Sequence, residues 1–483
     1  MKFRTREEYH ADLRAMRKNV FKNGRFIEDI VTDSDTRALI ENESVTYDLL
    51  QDPQNDGILK AKSTLSGETV ARWHTLMASA EDLMMYAKLK KLHFHKTAVC
   101  CAGVCTGWST FNVLWSVTYE IDEKCGTDYH KRLQAWVRGV ERKTYKVGAA
   151  LTDAKGDRSK KASQQLSPDF NVHVKEIRSD GIVVSGAKTM IANAAAFHEI
   201  ICIPGTAYKE NEKEFAVAFV VPRDAEGLTL VQAEVSEGRE GWDTMKYASA
   251  ASYLIFEDCF IPKENVFMCE EWAFSGSVIS RFTANYRAAI GACMSGNTDI
   301  MVGASALMAR ANGLSSNAFR EKFVDMEMIS NMVYGLGLGA MLAGEKHQSG
   351  AFYADPTLAH TNKYYVAKNY AEIRRICQDI GGGIAETGCL PNYKDCTDPV
   401  MGPKIMKYVQ GNSDLSAETR ARAARLCEWF GRGGGAMAFI HGGGSPDGAR
   451  VVVRMNTPIE KYAQAASDIA GITEKIEDPA PKK

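Results

Sequence analysis

No run of about eighteen consecutive apolar residues occurs, so no membrane-spanning helix is expected. The opening Met1-Lys-Phe-Arg-Thr-Arg-Glu-Glu8 carries no apolar signal region, and the reading is a cytoplasmic protein. Charge bias is missing too. Lys and Arg number 59 against 60 Asp and Glu, a net charge of −1, which gives no electrostatic case for nucleic acid or an anionic membrane. No GxGxxG fingerprint follows a strand and no Walker loop is present, so neither a Rossmann nor a P-loop nucleotide site is expected. Nothing repeats at a fixed period, and the only low-complexity segments are glycine runs. What is there is ordinary in bulk: 483 residues, 45% hydrophobic and 25% charged, enough for two or three layers or domains of a soluble globular protein. Twelve cysteines are many for such a chain. Without a secretory signal they read as reduced thiols or ligands rather than disulfides.

Taken in order, the pattern is α, then β, then α. Thr5-Arg-Glu-Glu8 is a capping box opening a helix through Lys18. Asn23-Gly24 marks a turn. Asp35–Leu50, Ser66–Leu92, Lys96 to about Tyr119 and His130–Lys143 read as further helices, so residues 1–145 form an N-terminal helical domain. Near Tyr145 the period changes to two. Phe170–Lys175 and Ile182–Ser185 flank the turn Arg178-Ser-Asp-Gly181 as a hairpin. Ile200–Pro204, Phe215–Pro222 and Tyr253–Pro262 read as strands that end at proline. Residues 146–268 are therefore a β domain. Segments 272–312, 315–346, 356–380 and 416–430 are long and apolar-periodic with short connections, an antiparallel bundle within a C-terminal domain of residues 269–472. A tail, 473–483, follows.

The stretch Lys96-Thr-Ala-Val-Cys-Cys-Ala-Gly-Val-Cys105 stands out. Cys101 and Cys105 are spaced to share a helix face, between the amphipathic run Lys88–Leu92 and the apolar run Phe111–Trp115. Thiolates on one face can hold zinc, copper or an iron–sulfur cluster, though paired buried cysteines also serve as core filler. Cys293 lies in a distant apolar helical stretch. Two loops could meet a cofactor or be plain turns: Thr152-Asp-Ala-Lys-Gly-Asp-Arg158 and Gly186-Ala-Lys-Thr-Met-Ile-Ala-Asn193. Gln378-Asp-Ile-Gly-Gly-Gly383 reads as a glycine C-cap or as a place of close backbone approach to a ligand.

These residues bring a family into view. The α–β–α order, Gly186-x-Lys-x-x-Ile-x-Asn193, Phe256–Pro262 and Gln378-x-x-Gly-Gly382 resemble the acyl-CoA dehydrogenase fold. The set Thr118–Asp122, Gly126–His130, Thr152–Arg158, Asp180–Lys188 and His441–Pro446 resembles more closely the 4-hydroxybutyryl-CoA dehydratase/vinylacetyl-CoA Δ-isomerase family, related to the 4-hydroxyphenylacetate 3-monooxygenase flavoproteins. The resemblance implies an α+β chain with a β-barrel middle domain, and an FAD contacted by Thr152, Lys155, Asp157, Arg158, Ile191, Ala192 and Asn193. It implies that Gln378, Gly381 and Gly382 reach the flavin of a neighbouring subunit in a homotetramer. It also implies a [4Fe-4S] cluster held by Cys101, Cys105 and Cys293, with Cys100 a near alternative to Cys101. The implied chemistry is dehydration or double-bond migration on an acyl-CoA, a hydroxyacyl-CoA or enoyl-CoA, in anaerobic metabolism.

The departures bear on that chemistry. Tyr286 stands where the family has its fourth, histidine ligand, with His93 and His95 as possible substitutes. Ala192 stands where a threonine is expected, Ala251 and Ala438 where glutamates are, and Met294 where a lysine follows the third cysteine. Tyr286 and His441 are then the acid–base candidates, although His441 could equally be structural in its glycine-rich loop. Three functions compete: a dehydratase/isomerase with an altered substrate, a flavin monooxygenase of the 4-hydroxyphenylacetate type, and a non-catalytic paralogue. Arg158-Ser-Lys-Lys161 could hold a CoA phosphate or be a solvated charge run.

Overall fold

The computed structural model describes residues 2–233, 240–435, 439–474 and 476. The first helix, Arg6–Ala15, opens on the expected capping box: Thr5 accepts from the Glu8 amide at 3.3 Å and Glu8 from the Thr5 amide at 3.0 Å. It stops short of Lys18 because the chain must become a strand. Val20–Lys22 pairs in parallel with Leu228–Gln232, and Asn23 and Gly24, both with positive φ, turn it back on Arg25–Phe26. The N-terminal region is therefore not purely helical.

A larger correction falls on Ser66–Leu92. Residues 60–62 and 69–71 form a hairpin, and the helix begins only at Ala80, capped by Ser79, and runs to Thr97. Ala98, with φ 60°, ends it, and the next helix runs Ala102–Cys125 with Cys101 at its N-cap. A left-handed residue leaves the helical path, so the break expected between Leu92 and Lys96 falls instead at 98–101, as a corner between the two helices.

The strands form two principal sheets. Six are ordered Arg25–Phe26, Val20–Lys22, Leu228–Gln232, Ala251–Pro262, Gly181–Ala192, His173–Arg178. Four more are ordered Val266–Cys269, Val217–Pro222, Glu199–Cys202, Val147–Ala150. The Gly181–Ala192 and Ala251–Pro262 pair carries an irregularity: Ser252 faces Ile191 and Leu254 faces Lys188, so Thr189 and Met190 oppose Tyr253 alone. Met190 takes φ 58° there. Such a bulge re-aims the end of a strand.

The C-terminal region is helical: Ser275–Ala311, Arg320–Leu342, Pro356–Gly381 and Ala417–Gly431, followed by Pro446–Asn456 and Ile459–Ala470. The long Ser275–Ala311 helix packs on Ala80–Thr97. A Cβ on Gly296 would lie 2.5 Å from the Lys91 carbonyl, so glycine sets that approach. Asn297 also donates to the Ala98 carbonyl at 2.8 Å, tying the corner to this helix. No helix among the described residues is long and apolar enough to cross a membrane.

Candidate active site

The corner at 98–101 brings distant side chains together. Cys101 and Cys105 are buried, their thiols hydrogen-bonded to one another, and Cys293 faces them from the long helix. Tyr86, one helix over, places its hydroxyl 3.1 Å from Cys105 Sγ. The Tyr286 ring keeps some surface, but its hydroxyl is sunk among Cys105, Cys100 and Cys293. All twelve cysteines are free thiols.

Lys90 completes this group, and the sequence reading passed over it. It is 1% exposed, and its ammonium lies 4.7 Å from the Tyr86 ring centre and 4.8 Å from that of Tyr286. The groups facing it are Cys105, Cys293, Tyr286 and Cys101. The available signal was periodicity. Tyr86, Lys90 and Phe94 fall on one buried helix stripe, so Lys90 is a charge on an apolar face.

The ionisation pattern follows from this packing. Burial opposes the Cys105 thiolate, but the Cys101 thiol, the Lys90 charge and the Tyr86 hydroxyl hold its pKa down to about 6. Burial pushes Cys293 up to about 12, and burial and the facing thiols push Tyr286 above the ordinary phenol range. The protein surroundings alone thus favour the neutral phenol of Tyr286. Among the described residues, no group of three or more His, Cys, Asp or Glu stands ready to hold a metal ion. The donor set nevertheless has the chemistry of a thiolate-held centre, and the buried Lys90 ammonium, whose neighbours are the Cys105 and Cys293 sulfurs, favours negative charge there.

Neither substitute histidine faces the thiols. His93 Nε2 lies 3.0 Å from Asn42 Oδ1, while Asn42 Nδ2 donates to the Cys100 carbonyl at 2.8 Å. His95 is at the surface, 3.3 Å from Asp299. His441 is exposed too. Its loop reaches the site through Gly443, where a Cβ would lie 2.7 Å from the Tyr286 ring, and Arg287 holds the Gly443 carbonyl at 2.6 Å.

The two cofactor loops meet each other. Thr189 N donates to Thr152 O at 2.7 Å, and Lys188 pairs with Asp153 at 2.7 Å, both buried. Lys155, with φ 66°, begins a turn in which Gln165 closes on Asp157 at 2.9 Å, leaving Asp157 and Arg158 exposed. Lys160 and Lys161 are also exposed, the solvated alternative for that run. Ala192 and Ala251 are direct cross-strand partners. With Met190 and Tyr253, 63% and 52% exposed, they form an open apolar patch on one sheet face. Ile191, on the opposite face, is buried. Ala438 lies outside the described residues.

Asn193 joins the loops to the thiols. Its Nδ2 donates to Glu43 at 2.6 Å and to the Cys100 carbonyl at 3.2 Å, and its Oδ1 accepts from Ser249 at 2.7 Å. Glu43 also forms a fully buried pair with Lys146 at 3.1 Å. Gln378, Gly381 and Gly382 stand apart. Gln378 packs on Gly431, and Gly381 on Ala385 and Cys427, all within the C-terminal bundle.

Two family models match in tandem, the N-terminal part of 4-hydroxyphenylacetate 3-hydroxylase over residues 5–268 and its C-terminal part over 275–471. The chain is 32% identical, over 97% of its length and 99% of the relative's, to 4-hydroxybutyryl-CoA dehydratase/vinylacetyl-CoA-Δ-isomerase of Clostridium aminobutyricum. It is 23% identical to the oxygenase component of 4-hydroxyphenylacetate 3-monooxygenase from Thermus thermophilus, over 88% of this chain and 87% of that one. Among solved structures, an oxygen-tolerant archaeal 4-hydroxybutyryl-CoA dehydratase from N. maritimus superposes with a TM-score of 0.94 at 31% identity, covering 100% of this chain and 98% of that one. The HpaB oxygenase component complexed with FAD and 4-hydroxyphenylacetate shares the fold, with a TM-score of 0.79 at 21% identity over 97% of this chain and 98% of that one. The chain belongs to the 4-hydroxyphenylacetate 3-hydroxylase family and, within it, to the 4-hydroxybutyryl-CoA dehydratase/vinylacetyl-CoA Δ-isomerase family.

Proposed function

We propose that this protein is a flavin- and iron–sulfur-dependent lyase or isomerase acting on a hydroxyacyl-CoA or enoyl-CoA, with a substrate different from that of its dehydratase relatives. One observation carries the reading. Cys101, Cys105 and Cys293 gather from two helices around a buried ammonium, in a chain 32% identical to a dehydratase/isomerase. Three thiolates would hold a [4Fe-4S] centre, and FAD would lie on the Ala192–Ala251 patch beside residues 152–158. Gln378, Gly381 and Gly382 would then serve the flavin of a second subunit in a homotetramer. Bound, the two groups would supply one-electron chemistry and a Lewis acid for a departing hydroxyl.

The chain's own residues do the rest. Asn193 fixes the backbone at Cys100 against the strand end, which couples the thiol corner to the patch. Tyr286, held neutral, can donate a hydrogen bond to a substrate oxygen but does not serve as a strong base at neutral pH. The apolar Ala192–Ala251 pair leaves room and neither hydroxyl nor carboxylate at those two positions, which is why a changed substrate is proposed.

Anaerobic purification with flavin, iron and sulfide analysis tests this. Flavin with iron and sulfide in equal amounts, and turnover of a hydroxyacyl-CoA or enoyl-CoA from a panel, is the expected result. Flavin without iron would overturn the dehydratase chemistry and favour a hydroxylase. Neither cofactor would leave a non-catalytic paralogue.

A further inference from the structure

We infer that Lys90 is the built-in counter-charge of the thiol site, its ammonium donating to sulfur of the anionic centre held there and setting that centre's reduction potential. The inference rests on the iron–sulfur reading above but concerns a residue outside the ligand set.

The argument begins with cost. An ammonium taken out of water without an anionic partner costs several kcal/mol. Lys90 is 1% exposed, and its Nζ meets no oxygen acceptor among the described residues; the Cys105 and Cys293 sulfurs are the groups within its reach. The nearby carboxylate, Glu43, is already engaged by Lys146 at 3.1 Å and by Asn193 at 2.6 Å. What faces Lys90 is sulfur and phenol: Cys105, Cys293, Cys101, and the Tyr86 and Tyr286 rings at 4.7 and 4.8 Å. The rings supply cation–π attraction to the ammonium, but they carry no net charge. Metal binding strips protons from thiols. The Cys105 thiolate already supplies one negative charge here; a cluster held by three thiolates would add to it, and the ammonium supplies the hydrogen bond that its sulfurs accept. Charge and hydrogen bonding at sulfur are among the factors that set an iron–sulfur potential. An electron added to the centre raises its negative charge, so a neighbouring ammonium stabilises the reduced form.

The test uses the intact protein purified anaerobically, with Lys90→Met and Lys90→Arg. Iron and sulfide content, the electron paramagnetic resonance spectrum of the reduced protein and a potentiometric titration are read for each. Lys90→Met is expected to disfavour the reduced centre at least tenfold, a fall of about 59 mV for a one-electron couple, and Lys90→Arg to stay near the parent value. Loss of iron in Lys90→Met with retention in Lys90→Arg would also support a charge requirement. An unchanged potential in Lys90→Met with iron retained would overturn the inference while leaving the cluster reading intact. So would equal iron loss in both variants with the melting temperature preserved, since shape rather than charge would then matter. Iron absent from the parent protein would instead overturn the cluster reading itself, and the inference with it.

Discussion

The buried polar groups around the thiol corner are held as pairs, and pairing governs what each substitution does. Glu43 and Lys146 are both fully buried, with the ammonium also donating to Glu43 O and Thr46. Removing one partner leaves the other charged in a low dielectric. Lys146→Met is expected to cost about 3–5 kcal/mol in chemical denaturation. Glu43→Gln, which keeps an acceptor for Asn193 but leaves the Lys146 ammonium without its counter-charge, should cost a comparable amount; a loss near zero would mean that charge pairing is not the source. Two histidines show what burial does where the partners are neutral, Asn42 for His93 and the Tyr145 carbonyl for His74. Burial lowers His93 and His74 from 6.5 to about 3, so both are neutral in the folded protein. The unfolded chain binds their protons first, so stability is full above about pH 6.5 and is lost as pH falls toward about 3. Replacing His93 with Gln should flatten that acid limb by up to one bound proton. Denaturation midpoints measured from pH 7 to 4 would check it, and an unchanged slope would contradict it.

At the scale of elements, the site depends on how closely two helices approach. Gly296 lets Ser275–Ala311 meet Ala80–Thr97, and that contact carries Cys293 toward Cys101 and Cys105. Gly296→Ala would press a methyl 2.5 Å from the Lys91 carbonyl. A loss of about 1–3 kcal/mol is expected from overpacking, together with a drop in bound iron relative to flavin. Stability and iron both unchanged would show that the helices can separate freely. The capping box at Thr5 was readable from its four residues because capping is local. The helix break at Ala98 was not. Alanine is a strong helix former and carries no stop signal, and its φ of 60° is imposed by the Asn297 bond from another region. The Ser66–Leu92 run was misread for a similar reason: the hairpin at 60–71 is short, and its pairing has little sequence signal of its own.

At the scale of the molecule, the last helix poses the question of assembly. Ile459–Ala470 has no buried residue, and Ile459, Tyr462 and Ile469 are 63%, 60% and 90% exposed. An amphipathic helix with its apolar face open suits contact with another copy, which the proposal that Gln378, Gly381 and Gly382 serve the flavin of a second subunit requires. Light scattering should find a tetramer, and Tyr462→Glu with Ile469→Glu should dissociate it and weaken flavin retention. A stable monomer with full flavin content would sink the shared-site proposal. Apart from the early strands and the 60–71 hairpin, the α–β–α order was legible because periods of 3.6 and two are written into the chain itself.

The sequence alone determined the family and, apart from the early strands and the 60–71 hairpin, the order of elements, because those are properties of residue type and spacing. Tertiary structure decided what surrounds the three cysteines. Lys90 sits in the amphipathic run Lys88–Leu92, and only the packing of three helices puts its ammonium among the thiols. Asn193 reads as part of a cofactor loop or a turn, and only the fold places its amide on Glu43 and the Cys100 carbonyl. Ala192 and Ala251 are 59 residues apart in the chain, and only strand register makes them neighbours. Spacing along a chain fixes which groups share a face; which faces meet is fixed by burial, where distant parts of the sequence must satisfy one another's charge and shape.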